Sequence, residues 1–196
     1  PEQMEWLHPV LAHLENPAEN GRELLVDVVA GPGKEQFIYS DRKPYALALS
    51  LKRLAPLVKS LVCNQALSDY GHFLHFHAGV VGNGRRCIIL PGDSGSGKSS
   101  LTAVLCRRGM QYFSDEIALL KEDTYCVVPV PVGICVKKTG WDLVSRWYPE
   151  LNQLKSYLRG DEKTVRYLPP PITNTPVPEE GLPVSHIVFP RYQPGT

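Results

Sequence analysis

The sequence predicts an α/β fold with a mixed sheet, preceded by a smaller α+β N-terminal region. Three observations predict it. Short apolar runs of strand length recur along the chain, separated by Gly, Asn and Pro. Two segments carry apolar residues at helical spacing instead. A glycine-rich octapeptide, 92–99 (GDSGSGKS), joins one apolar run directly to one of those helices. The division falls near residue 70, giving an N-terminal region over 1–70 and a core over 71–196.

Residues 24–30 (LLVDVVA) and 36–39 (QFIY) read as two strands, and Gly31-Pro32-Gly33-Lys34 between them is turn chemistry, so the pair predicts a hairpin. From Tyr45 to Leu67 the apolar residues Leu47, Leu51, Leu54, Leu57, Val58, Leu61 and Val62 follow a helical period. Pro44 suits the helix start, and Pro56 is expected to kink or split the helix. Residues 72–81 (HFLHFHAGVV) and 86–90 (RCIIL) are strands again, joined by Gly82-Asn83-Gly84, a second hairpin signal. Residues 99–108 form a helix with Leu101, Val104 and Leu105 on its apolar face and Gly109 as its stop. Strands are expected over 112–120 and 126–137, a helix around Pro149 over 141–158, and a short last strand at 186–189 (HIVF). Six prolines between Pro169 and Pro183 make that stretch an extended loop.

The chain has 196 residues, 43% of them hydrophobic, enough for one well-formed core. A net charge of +1 without a long Lys/Arg run argues against nucleic acid and against a membrane surface as partners. No apolar stretch approaches the ~20 residues of a membrane span. The five cysteines are odd in number, widely spaced and without a C-x-x-C pair, which suits reduced thiols in a cytoplasmic protein better than disulfides or a zinc site. The first residue is not Met, and the chain closes on Pro194-Gly195-Thr196 soon after an apolar run, so the C-terminal end reads as cut short.

The octapeptide carries the chemistry. Gly92, Asp93, Ser94, Gly95, Ser96, Gly97, Lys98 and Ser99 fit G-x-x-x-x-G-K-S in full. Glycines let the backbone turn and aim successive N–H groups at phosphate oxygens. Lys98 brings a positive charge to the β- and γ-phosphates, the Ser99 hydroxyl is a ligand for Mg²⁺, and Ser100 continues the loop into the helix, whose N-terminus adds its positive end. A preceding strand and a following helix are the context this chemistry needs. ATP is the expected nucleotide, since the guanine-reading N-K-x-D is absent.

Ser114-Asp115-Glu116 follows the loop helix on the next expected strand. A carboxylate there holds Mg²⁺ directly or through water. Neighbours on a regular strand point to opposite faces, so Asp115 and Glu116 both reach the phosphates only if the chain bends. The plain alternative is a solvated acidic pair. His72, His75 and His77 alternate with phenylalanines. His75 and His77 share a face, but no cysteine or carboxylate stands at ligand spacing, so structural histidines are the simpler reading than a metal site. Lys137, Lys138, Arg166 and Arg191 are candidates for a further cation outside the loop.

Together, His77-Ala78-Gly79-Val80-Val81, the Gly82-Asn83-Gly84 turn, IILPGDSGSGKSSLTAVLCRRG and FSDEIALL resemble the HPr kinase/phosphorylase superfamily, whose nucleotide core is related to ATP-dependent phosphoenolpyruvate carboxykinase. The likeness covers roughly 76–120. The closing IVFPRYQPG is similar to HPr-kinase-related proteins of bacterial peptide-biosynthesis clusters, including kinases of lasso-peptide precursors. The resemblance implies a P-loop core of that type and an ATP- and Mg²⁺-dependent kinase acting on a serine hydroxyl of a peptide or small protein. It implies Asp115 as the base, Lys98 as the γ-phosphate clamp, His77 at the γ-phosphate or acceptor, and Ser99, Asp115 and Glu116 around the metal. HPr kinases form hexamers, so it also implies a homo-oligomer. Two features depart from the family: Ser100 stands where a glutamate follows the loop serine, and no stretch matches the dephosphorylating loop. An ATPase-driven switch and a non-catalytic nucleotide sensor therefore remain as alternatives.

Overall fold

The computed structural model describes residues 2–15, 23–68, 71, 73–171 and 177–193. It is a mixed α/β protein with a large mixed sheet, and its chain divides into two compact units, Pro1–Gly71 with Lys155–Arg166, and His72–Leu154 with Tyr167–Thr196. The main chain passes from the first unit to the second after Gly71. However, Lys155–Arg166 belongs with the first unit instead of the core.

In the first unit, α1 (Glu2–Leu11) precedes a three-stranded antiparallel sheet of β1 (Val26–Ala30), β2 (Gln36–Ser40) and β3 (Lys43–Ala48), followed by α2 (Leu51–Ser68). The first hairpin pairs Ala30 with Gln36, as its turn residues predict. The helical period placed Tyr45 in a helix, and this is corrected: Lys43–Ala48 pairs with β2 through Phe37–Leu47 and Ile38–Ala46. Pro44 is tolerated because β3 is an edge strand with a bulge at Ile38/Tyr39, where a missing N–H costs little. α2 runs unbroken through Pro56. It packs on β2, β3 and α1, burying Leu54, Ala55, Val58 and Leu61 with Ile38, Ala48, Leu7 and Val10.

The late segment Lys155–Arg166 enters this unit as a hairpin of β11 (Tyr157–Leu158) with the start of β12 (Thr164–Leu168). Arg53 of α2 donates to both Glu162 oxygens at 2.7 and 2.6 Å and to the Arg159 carbonyl at 3.2 Å. The Tyr157 ring meets Trp6 edge-on at 5.8 Å and its hydroxyl donates to the Trp6 carbonyl. These anchors lie some 100–150 residues apart in sequence, which is why no local pattern predicted them.

The second unit is built on seven strands: β4 (Phe73–Phe76), β5 (Ala78–Gly82), β6 (Cys87–Pro91), β7 (Gln111–Ser114), β8 (Ala118–Lys121), β9 (Cys126–Val128) and β13 (Leu182–Ile187). Their order across the sheet is β4-β8-β9-β13-β6-β5-β7, and β13 runs parallel to β6 while its other pairings are antiparallel. Two expected single strands are each interrupted. His77 separates β4 from β5, and residues 115–117 separate β7 from β8. The interruptions face each other, since β4 pairs with β8 (Phe76–Ala118) and β5 with β7 (Val80–Ser114). The sheet's two ends are therefore joined through a bend in one ribbon, and alternate residues fill two cores. Val80, Phe113, Ala118, Val127 and Leu182 face one. Val81, Tyr112, Ile134, Val144 and Leu151 face the other, together with α3 (Lys98–Arg107) and α4 (Trp141–Val144).

Further differences have local causes. The expected strand 126–137 is broken by Pro129 and Pro131 into β9 and β10 (Ile134–Lys137). The helix expected over 141–158 is only α4 and a 3₁₀ segment at Pro149–Gln153, because Tyr148 takes a non-helical conformation (φ −130°, ψ 78°) ahead of Pro149 and sends its hydroxyl to the Ala103 carbonyl. The last strand begins four residues early, at Leu182. His72 and part of the proline-rich segment, residues 172–176, lie outside the described residues.

Candidate functional site

β6 ends at Pro91 and the loop begins at once. Gly92, Gly95 and Gly97 have φ of +153°, +97° and +97°, values that L side chains rarely adopt, so the sequence reserves glycine for all three turns. A Cβ on Gly92 would also lie 2.8 Å from Ser96 Oγ. Gly97 hands the chain to α3, whose Leu101 N–H already donates to the Gly97 carbonyl. α3 lies close on β5 because Gly79 carries no side chain: its Cβ would stand 2.4 Å from Thr102 Oγ1.

Lys98 is folded back over the loop and is only 6% exposed. Its ammonium donates to the Gly92 carbonyl at 2.5 Å and the Asp93 carbonyl at 3.0 Å. Burial lowers its pKa below the ordinary 10.5 and the nearby Lys137 lowers it further, against the opposing pull of Asp115 and Asp93. Lys137, at the end of β10, donates to Ser94 Oγ at 2.8 Å, so the loop carries two ammonium groups from different elements. The Ser96 hydroxyl is enclosed with no protein hydrogen bond among the described residues. Two lysines and an unsatisfied buried hydroxyl on a backbone of inward-turned glycines fit a polyanion.

The bend in the ribbon sets the acidic pair. The chain does turn at 115–117, so Asp115 and Glu116 escape strict alternation. Ser114 Oγ accepts from the Ile117 N–H at 3.1 Å and holds the turn. Asp115 is 1% exposed, its Oδ2 accepts from the Cys135 N–H at 2.7 Å, and its charge acts on Lys98. Glu116 is half-buried, and its carbonyl lies 3.0 Å from His77 Nδ1 across the bend. His77 is exposed and His75 is exposed on β4. The bend takes His77 out of that strand, so the shared face expected for the two histidines is not formed. Among the described residues no group of three or more His, Cys, Asp or Glu is arranged to hold a metal.

A cavity of about 520 Å³ opens beside the loop. Gly95 to Ser100 form one wall, including Lys98 and Ser99. Lys137, Thr139 and Gly140 form a second, where Gly140 faces Ser100 closely enough that a Cβ would lie 3.1 Å from its hydroxyl. Pro190, Arg191 and Tyr192 form a third. Because β13 is parallel to β6, its outgoing chain leaves at the same end as the loop, where a Cβ added at Gly92 or Gly97 would lie 3.8 Å from the Pro190 carbonyl or 3.7 Å from Tyr192 Cβ. Of the cations named from sequence, Lys137 and Arg191 line this cavity, Lys138 is not among its lining residues, and Arg166 belongs to the first unit. Asp115, Glu116 and His77 are not lining residues either, although Cys135, whose amide Asp115 accepts, is one. The sequence reading missed Tyr192 and Leu143; the parallel pairing of β13 brings in the first and the packing of α4 on α3 the second, and local patterns carry neither.

The chain matches no family model, no curated protein and no solved structure among those compared with it. No helix among the described residues is long and apolar enough to cross a membrane.

Proposed function

We propose that the protein is an ATP- and Mg²⁺-dependent kinase that transfers the γ-phosphoryl group to a serine hydroxyl of a peptide or small protein. The observation that carries this reading is a G-x-x-x-x-G-K-S loop turned by three positive-φ glycines, with Lys98 folded over it and the charge of the buried Asp115 acting on that lysine. The motif likeness to the HPr kinase superfamily supports the same reading, and reduced cysteines suit a cytoplasmic setting.

The chain's own residues have separable tasks. The loop N–H groups and Lys98 hold the β- and γ-phosphates, exchanging the Gly92 and Asp93 carbonyls for phosphate oxygens. Lys137 and Arg191 add charge where the transferred group becomes more negative. Asp115 takes the proton of the acceptor hydroxyl while that oxygen forms the new bond to phosphorus and the bond to the ADP oxygen breaks. Its burial keeps the accepted proton from bulk water. Ser99, Asp115 and Glu116 are the residues that would hold Mg²⁺, which would supply positive charge to the nucleotide phosphates; a donor set this sparse among the described residues fits an ion that arrives with the nucleotide.

One observation favours a second reading. Asp115 is held by the Cys135 amide and nearly sealed from solvent, an arrangement that also suits a nucleotide sensor or ATPase switch in which Asp115 relays loop occupancy to β10. Intact-mass analysis of candidate peptides incubated with the protein, ATP and Mg²⁺ separates them. The kinase reading expects a gain of about 80 Da on a peptide, absent with Lys98→Ala. Phosphate release without any peptide gain supports the switch, and tight binding with neither supports the sensor.

A further inference from the structure

The cavity has two chemically different linings. At the loop are backbone N–H groups, Lys98 and Lys137. The apolar lining comes from Leu101 and Val104 further along α3, from Leu143 of α4 and from Tyr192 beside Gly97. Leu143 is 40% and Tyr192 61% exposed, large apolar surfaces left open beside a polar loop. Tyr192 stands beside the start of α3: a Cβ added at Gly97 would lie 3.7 Å from the tyrosine Cβ.

We infer that this apolar lining is the seat of a purine nucleobase, held by face contact between Tyr192 and the Leu101–Val104–Leu143 wall without side-chain reading of the base edge. The inference rests on the loop holding the triphosphate. With the β- and γ-phosphates at Lys98 and the α-phosphate at the first turn of α3, the nucleoside is directed along α3, one turn on, to Leu101 and Val104. The volume lies within the ~300–1,000 Å³ of sites that enclose a whole small ligand. Among the described residues no Asp, Glu, Asn or Gln lines the cavity; its hydroxyls at Ser100 and Thr139 donate or accept alike, and Arg191 goes to the transferred phosphoryl group, so no carboxylate or carboxamide is placed to distinguish the amino and carbonyl edges of adenine and guanine. Apolar walls discriminate weakly, whereas sites built to hydrogen-bond a polar group reject analogues by ~10⁴-fold or more. The missing N-K-x-D motif says that guanine is not specifically read; the cavity lining says the same of adenine.

Calorimetric titration of the whole chain with ATP, GTP and inorganic triphosphate, each with Mg²⁺, tests this. The expected result is ATP and GTP dissociation constants within about tenfold of each other, and triphosphate weaker than ATP. Tyr192→Ala should weaken ATP and GTP by about 5- to 100-fold and leave triphosphate unchanged, while Tyr192→Phe keeps nucleotide affinity. Triphosphate binding as tightly as ATP overturns the base seat and leaves the loop reading standing. So does ATP affinity unaffected by Tyr192→Ala, including the case in which that variant weakens only peptide use. GTP weaker than ATP by more than a hundredfold overturns the edge-blind part. Binding of none of the three to wild-type protein overturns the loop reading itself, and the base seat with it.

Discussion

The two units bury different things. In the first, one face of the sheet packs on helices, and the row Val29–Phe37–Leu47 crosses the opposite face at 52, 39 and 46% exposure. In the second, both faces of β5 and β7 are covered, and yet Lys98, Thr102, Ser114 and Asp115 are buried at 6% or less. Burying a charge costs several kcal/mol unless partners offset it. Both units leave apolar side chains in water, and the first also buries a lysine, Lys59 at 5%; the second buries a lysine and an aspartate together, with the charge of Asp115 acting on Lys98. A fold selected for stability alone has no need of a lysine and an aspartate buried together, so that pairing, and not a buried charge by itself, marks the chemistry.

That contrast can be broken at several points. The largest effect is expected from Asp115→Asn, which keeps an acceptor for the Cys135 amide but removes the base. Peptide phosphorylation should fall by about 10²–10⁴-fold, with ATP affinity changed by much less, as read by intact mass and calorimetry. Next comes stability. Phe113→Ala empties a fully buried site of the second unit and should cost about 3–5 kcal/mol, whereas Phe37→Ala on the open sheet face should stay within about 0.5 kcal/mol in denaturant unfolding. A smaller effect concerns pH. Because the Lys98 pKa lies below 10.5, its charge is lost on the alkaline side before that of a free lysine. ATP affinity should therefore decline as pH rises through the folded pKa, and binding there should take up a proton, visible as a buffer-dependent enthalpy that Lys98→Ala abolishes. In folding the sign is opposite: the buried charge opposes stability below the folded pKa, and that penalty fades as pH rises through 10.5. The smallest effect is thiol labelling at pH 8. Half-buried Cys126 should react first, well ahead of Cys87 and Cys106, whose pKa values burial pushes up to about 11 and about 12.

Much of the loop was legible because its requirements are local. Glycines at 92, 95 and 97, a lysine and a serine in fixed register, and a flanking strand and helix all lie within about a dozen residues. The Gly31–Lys34 and Gly82–Gly84 turns were legible for the same reason. Asn83 Oδ1 accepts from the Arg85 and Arg86 N–H groups and closes its hairpin locally. What failed was set by distant partners. Tyr45 and Leu47 carry a helical period, yet pairing with β2 makes them strand. The breaks at His77 and 115–117 exist because two ribbon halves join opposite ends of one sheet. Tyr192 reaches the loop only because β13 runs parallel to β6, a pairing about 95 residues long in sequence.

The central claim is that the octapeptide holds a nucleoside triphosphate through Lys98. Equilibrium dialysis of ATP with Mg²⁺ against the wild-type chain and Lys98→Ala addresses it directly. The account predicts one site per chain in the wild type and a loss of about 10²-fold or more in affinity in the variant, whose unfolding midpoint is not lowered. Undetectable binding to the wild type, or equal binding to a folded variant, would contradict it.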